Sequence, residues 1–142
     1  MQVAIAEAEA AASVGEVPVG AAVVRGGVVV ARAHNRTVER RDPTAHAELL
    51  AIQQALQHVG TGRLNDCTLY VTLEPCAQCA GAIVLTKVGR LVYAAPDLKA
   101  GMCGSLGDLV RHGRLNHQVE VVAGVAEEAS SRLLKAFFET KR

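Results

Sequence analysis

Apolar positions recur along this chain with two different periods, and the alternation between them lays out its elements. Met1, Ile5, Ala8 and Ala12 fall at helical spacing and predict an opening helix that ends near Gly15. Gly20-Ala21-Ala22-Val23-Val24 and Val28-Val29-Val30-Ala31-Arg32-Ala33 read as two strands joined at Arg25-Gly26-Gly27, a hairpin signal. Asp42-Pro43-Thr44 supplies a capping side chain and a proline suited to a first turn, and so predicts a helix start. Ala45, Leu49, Ile52, Leu56 and Val59 continue that helix on one apolar face, and Gly60 or Gly62 ends it.

Cys67 to Leu73 is the next expected strand, and Pro75 opens a helix through Ile83-Val84-Leu85 that Gly89 stops. Arg90 to Ala94 and Gln118 to Val122 read as the fourth and fifth strands. The glycine-punctuated stretch from Pro96 to Gly107 separates them, with a short helix expected around Leu106 to His112. Ala126 to Lys141 reads as a terminal helix. Strands alternating with helices predict an α/β sandwich around one sheet. No linker, internal repeat or low-complexity stretch divides the chain, so residues 1–142 are read as a single domain.

Composition narrows this picture without redirecting it. Of 142 residues, 50% are hydrophobic and 20% charged, enough apolar material for one core and too much for a disordered chain. A net charge of +1 excludes nucleic-acid binding through bulk basicity, although a local basic patch is still allowed. Glu7 and Glu9 interrupt the first apolar run, unlike a signal peptide, and no apolar stretch has the length of a membrane span. The expected compartment is therefore a reducing cytoplasm, where four cysteines point to metal binding or reactivity rather than disulfides.

The candidate chemistry lies in His46-Ala47-Glu48 and in Pro75-Cys76-Ala77-Gln78-Cys79. One imidazole and two thiolates make three zinc ligands, whereas a closed structural site takes four. The position left over suits a water, and Glu48 is placed to move that water's protons. Cys76 and Cys79, three apart near a helix start, share a face, and the helix dipole favours their thiolate forms. A redox pair would leave His46 and Glu48 without a role, and a zinc ribbon needs a second Cys-x-x-Cys that Cys67 and Cys103 are too far apart to supply. Cys67 is expected in the core and Cys103 as a bystander. His34, His58, His112 and His117 lack spaced partners and are expected in surface or local hydrogen-bonding roles.

The pattern H-x-E…P-C-x-x-C is the known signature of the zinc nucleobase deaminases, not something the spacing by itself derives. Alone it leaves cytidine, cytosine, guanine, dCMP, riboflavin-precursor and tRNA adenosine deaminases open. Flanking residues narrow the choice: Glu16-Val17-Pro18-Val19-Gly20-Ala21, His34-Asn35-Arg36, Asp42 to Glu48, Leu69 to Cys76, Cys79-Ala80-Gly81-Ala82-Ile83, Asp97 to Gly101, Gly104-Ser105-Leu106, and Asn116-His117 with Val119-Glu120-Val121. Across nearly the whole chain these resemble the bacterial tRNA adenosine deaminases, within the cytidine/deoxycytidylate deaminase superfamily.

The resemblance implies a cytidine deaminase-like three-layer sandwich, with a five-stranded mixed sheet flanked by helices and one zinc ion (Zn2+) per subunit under the helix N-termini. It implies a cytoplasmic homodimer that converts the wobble adenosine of a tRNA anticodon stem-loop to inosine. Zinc-activated water would attack C6 of the flipped adenine, with Glu48 carrying protons and ammonia leaving. By the same resemblance Asn35 hydrogen-bonds the base, Val19 walls its pocket, and Asp97 and Lys99 contact the backbone beside it. Position alone also allows Asn35 as a turn residue ending the second strand, and Asp97 and Lys99 as part of a solvated loop. Phe138 would stack near a loop base, supported by Lys135, Lys141 and Arg142, while Phe137 anchors the terminal helix to the core. Where the resemblance expects a basic residue after the two Phe, this chain has Glu139. The alternatives are a deaminase of the same fold acting on a free base or nucleoside, and a catalytically silent zinc-stabilised subunit.

Overall fold

The two-residue turn Gly26-Gly27 closes the first hairpin of the structure, a computed structural model that describes residues 1–141. Both glycines take the left-handed backbone (φ 57° and 78°) that such a turn requires. They join β1 (Gly20–Arg25) to β2 (Val28–His34), after an opening helix α1 (Gln2–Ser13). The chain continues as α2 (Ala47–Val59), β3 (Cys67–Leu73), α3 (Ala77–Leu85), β4 (Arg90–Ala95), β5 (Glu120–Ala123) and α4 (Glu127–Thr140). The sheet order is β2-β1-β3-β4-β5, with β1 antiparallel to both neighbours and β3, β4 and β5 parallel. This is the five-stranded mixed sheet expected.

The helices lie on both faces in two contacting pairs, α1 with α4 and α2 with α3. Neighbouring residues of one strand face opposite ways, and β1 shows both sides of the sheet at once. Ala21 and Val23 pack with Ala47, Leu50 and Ala51 of α2. Gly20 backs directly onto α1, where a Cβ would fall 2.0 Å from the Ala4 carbonyl oxygen and 2.5 Å from the Ala8 nitrogen. The alanine stripe Ala4, Ala8, Ala11 thus lets α1 lie flat on a strand that offers no side chain there. Gly20→Ala is expected to cost about 3 kcal/mol through overpacking and lower Tm by roughly 6–10 °C. A thermal melt with an unchanged midpoint would show that α1 is free to shift.

Several boundaries differ from the sequence expectation for local reasons. Asp42 does not cap α2: its side chain accepts from the Thr44 N–H at 2.9 Å and the Thr44 hydroxyl at 2.6 Å, closing a turn of its own. The helix begins at Ala47 with His46 as N-cap, and Gly60 ends it in the left-handed conformation. No helix forms over 106–112. Cys103 instead bridges Asp108, and Asp108 pairs with Arg111. Gln118 donates to the His112 and Leu115 carbonyls, which holds it in that loop and starts β5 at Glu120. Among the described residues no helix is long and apolar enough to cross a membrane.

Candidate active site

Two helix N-termini meet over the carboxyl ends of the central strands. His46 is the N-cap of α2 and Cys76 the N-cap of α3, both in extended backbone, with Cys79 in the first turn of α3. His46 therefore stands outside the helix while Glu48 stands inside its first turn, so two residues only two apart reach one place from different directions. The Sγ atoms of Cys76 and Cys79 lie 3.5 and 3.6 Å from His46 Nδ1, and all three donor atoms fall within 4.8 Å of one another. An ion held tetrahedrally at the usual zinc distances would separate sulfur from nitrogen by about 3.6 Å. The three residues can hold a metal ion with almost no movement.

Their protonation points the same way. Hydrogen bonds from the Cys79 thiol and from His46 draw the Cys76 thiol far down, so its sulfur is a thiolate. The contact with Cys76 in turn raises His46 above its ordinary value. Glu48 is buried, and its Oε1 has no hydrogen-bond partner among the described residues. Burial pushes its carboxyl up to about 7, with the Cys76 charge adding to the rise and His46 opposing it. A carboxyl that holds or releases a proton near neutrality, aimed into a cavity beside three metal-binding atoms, is suited to shuttling protons.

The cavity measures about 240 Å³, and Val19, Asn35, His46, Glu48, Cys76 and Asp97 are on its wall. Cys79 is fully buried. The Asn35 carbonyl oxygen accepts from the Ala47 N–H at 2.8 Å, which caps α2 and fixes the amide's orientation. Its NH2 makes no hydrogen bond within the described residues. Asp97 folds its own loop by accepting from the Lys99 and Ala100 N–H groups at 3.0 and 3.1 Å. Lys99, Asp97 and Phe138 line a second groove of about 480 Å³ that shares Val17, Leu73 and Asp97 with the cavity. Phe138 is 50% exposed at its edge.

Four wall residues carried no prior expectation: Val17, Thr37, Leu73 and Glu74. The motifs around Glu16 and Glu74 were visible, but a buried carboxylate that organises backbone has no spacing signature. Glu16, buried, accepts from the Thr37 hydroxyl and from the Val38 and Glu39 N–H groups, bracing the wall that carries Asn35 and Thr37. Phe137 does not anchor α4 in the core: it is half-buried, packs edge-on to Phe138 with ring centres 5.3 Å apart, and lies under the Lys141 ammonium. Arg142 lies outside the described residues. Cys67 is buried in β3, and Cys103 is buried with its sulfur 3.9 Å from the Pro75 carbonyl, outside the metal-binding group. Of the remaining histidines, His34 meets Glu7, His117 meets the Val88 carbonyl, His112 accepts from the Arg114 N–H, and His58 is exposed.

Comparison with known proteins points to deaminases. The model of the MafB19-like deaminases matches residues 1–142. The chain is 49% identical to a tRNA-specific adenosine deaminase of Bacillus subtilis, over 100% of this chain and 88% of that protein. It is 44% identical to the Aquifex aeolicus enzyme of the same name, over 100% and 93%. Among solved structures, one from a study of A-to-I editing by tRNA:A34 deaminases at the wobble position of transfer RNA superposes with a TM-score of 0.90 at 42% identity, covering 94% of this chain and 97% of that one. A guanine deaminase from Nitrosomonas europaea superposes at 0.82 with 26% identity, covering 96% and 81%.

Proposed function

The chain belongs to the tRNA-specific adenosine deaminase family, and we infer from that membership that it converts the wobble adenosine of a tRNA anticodon loop to inosine. The observation that carries the reading is the convergence of His46, Cys76 and Cys79 beside Glu48, whose Oε1 has no partner among the described residues, on the wall of a cavity that adjoins a second groove. The donor set and spacing fit zinc, and one ion per subunit would be held by His46 Nδ1 and the two sulfurs. Zinc, when bound, supplies the Lewis acidity that makes a water nucleophilic near neutral pH.

The chain's own residues do the rest. The NH2 of Asn35 donates to an acceptor on the purine edge, and Val19 packs against the ring, so the base enters in one orientation. Burial keeps solvent from competing at Glu48. Its Oε1 takes the proton released as water adds to C6 and places it on purine N1. It then takes the proton of the new C6 hydroxyl and delivers it to the amino group, so that the C6–N bond breaks, a carbonyl forms and ammonia leaves. A flipped base reaches this depth only when unstacked, as in a single-stranded loop. Asp97 and Lys99 meet the backbone beside it, and the exposed ring of Phe138 offers a stacking face to a neighbouring base.

The activity sits in one deaminase domain over residues 1–142, and we assign it to a cytoplasmic homodimer. The outer face of α3 supports the dimer: Ala77 and Leu85 are exposed and Gly81 is half-exposed, an apolar strip at one-turn spacing, with Leu85 80% accessible. Sedimentation at micromolar concentration should give twice the mass of the chain, and a purely monomeric species would remove this assignment.

Asn35→Ala tests the base contact. It should lower kcat/KM by about a hundredfold, because a donor aimed at a buried acceptor is lost, and lower stability by about 1 kcal/mol through the missing cap. Loss of stability with kcat/KM unchanged would make Asn35 a cap and nothing more. A panel of stem-loop, guanine, cytosine and cytidine separates the reading from a free-base deaminase. Turnover of a free base without the stem-loop would reverse it.

A further inference from the structure

The mechanism gives no work to Glu74 of the Leu-Glu-Pro-Cys stretch, yet it is among the largest fully buried side chains. It follows β3 and stands two residues before the ligand Cys76. Its carboxylate is wrapped by a distant segment. Oε1 accepts from the Asp97 N–H at 3.0 Å and from the Ser105 hydroxyl, and Oε2 accepts from the Cys103 and Ser105 N–H groups, each at 3.0 Å. Gly101 lies against the carboxylate, where a Cβ would sit 2.3 Å from Glu74 Cδ and 2.5 Å from each oxygen. Gly101 is not in a left-handed conformation, so its missing side chain answers a need for space. The next residue's N–H, from Met102, donates to the Pro75 carbonyl at 2.9 Å.

The loop from Asp97 to Ser105 is thus wound around one buried carboxylate belonging to the metal-ligand segment. That loop carries Asp97, on the cavity wall, and Lys99, on the rim of the groove beside it. Glu74 holds the backbone of Asp97, and Asp97 in turn holds the N–H groups of Lys99 and Ala100. A chain of hydrogen bonds therefore runs from the segment bearing Cys76 to the groove's rim. We propose that Glu74 is a positioning residue for RNA: it ties the rim loop to the metal-ligand segment, so that Asp97 and Lys99 meet the nucleotide backbone in register with the reacting base. The proposal rests on the tRNA reading above, through the roles given to Asp97 and Lys99.

Glu74→Gln keeps the shape but sets an NH2 group against backbone donors, and Ser105→Ala removes one hydroxyl donor while leaving the carboxylate. Steady-state kinetics on an anticodon stem-loop, zinc content and amide hydrogen exchange are measured for both, for Asp97→Ala, and for Glu74→Gln combined with Asp97→Ala. KM for the stem-loop should rise about tenfold in Glu74→Gln and less in Ser105→Ala, with kcat within about threefold and zinc unchanged. Exchange should quicken at the Asp97, Cys103 and Ser105 amides. In the double variant the KM effects should fail to add, because Glu74 acts through Asp97. Unchanged KM in both single variants, parallel loss of kcat and zinc, or additive effects would each overturn the proposal. The unmodified chain is the control for the reading beneath it: if it fails to turn over the stem-loop, the tRNA reading falls, whereas an active parent with indifferent variants removes only the role of Glu74.

Discussion

Glu48→Gln is expected to abolish inosine formation while leaving a folded protein that still binds zinc. The carboxyl is buried, its Oε1 has no partner among the described residues, and burial raises its pKa to about 7. A carboxamide of the same shape can neither accept a proton from water nor return one to the purine or the leaving amine. The loss should be on the order of 10⁴-fold in kcat, the upper range for a positioned acid–base group. Glu48 is not counted among the metal ligands, so zinc content should stay at one per chain. Stability should hold or rise by about 1 kcal/mol, because an unpartnered buried carboxylate is costly to the fold. Glu48→Ala should be equally inactive. Either variant retaining activity within tenfold of the parent would remove Glu48 from the mechanism.

Removing the metal, or one of its ligands, should have the largest effect on stability. Without a cation, His46 and two sulfurs face one another within 4.8 Å beside a buried carboxyl, and the two cysteines share a proton. An ion that binds this arrangement but not the unfolded chain, present at about a thousandfold over its Kd, adds roughly 4 kcal/mol. For a chain of this size that corresponds to a Tm lower by about 10 °C after chelation. Activity should fall to background and return when zinc is added back. Cys79→Ser should reproduce the chelated protein without rescue, since a serine hydroxyl does not ionise to replace the thiolate. A melting midpoint indifferent to chelation would mean that these residues hold no metal.

Much of this was legible in the chain, and unevenly so. Short apolar runs bounded by turn signals placed the four longer strands, of which β1 and β4 are buried almost throughout; helical periodicity placed the terminal helices, and Gly26-Gly27 announced its turn. The ends of elements were less legible. Asp42 reads as a cap from its neighbours, but the side chain that caps α2 is Asn35, twelve residues away, reached only because β2 delivers it. Gln118 reads as strand until its amide is seen tied to the His112 and Leu115 carbonyls. The metal-binding group was visible because ligand chemistry demands particular residue types. The walls around it were not: Val17 and Leu73 are ordinary apolar residues, and Glu16 and Glu74 act on backbone groups that no sequence spacing reveals.

The central claim is that this fold brings the wobble adenosine of a tRNA to a zinc site and replaces its amino group with oxygen. Nucleoside analysis of an anticodon stem-loop incubated with the zinc-loaded protein, with ammonia measured in parallel, tests it most directly. One inosine and one ammonia are expected for each wobble adenosine lost, and no product from the Glu48→Gln protein. An unaltered wobble adenosine, with ammonia released instead from guanine or cytidine, would contradict it.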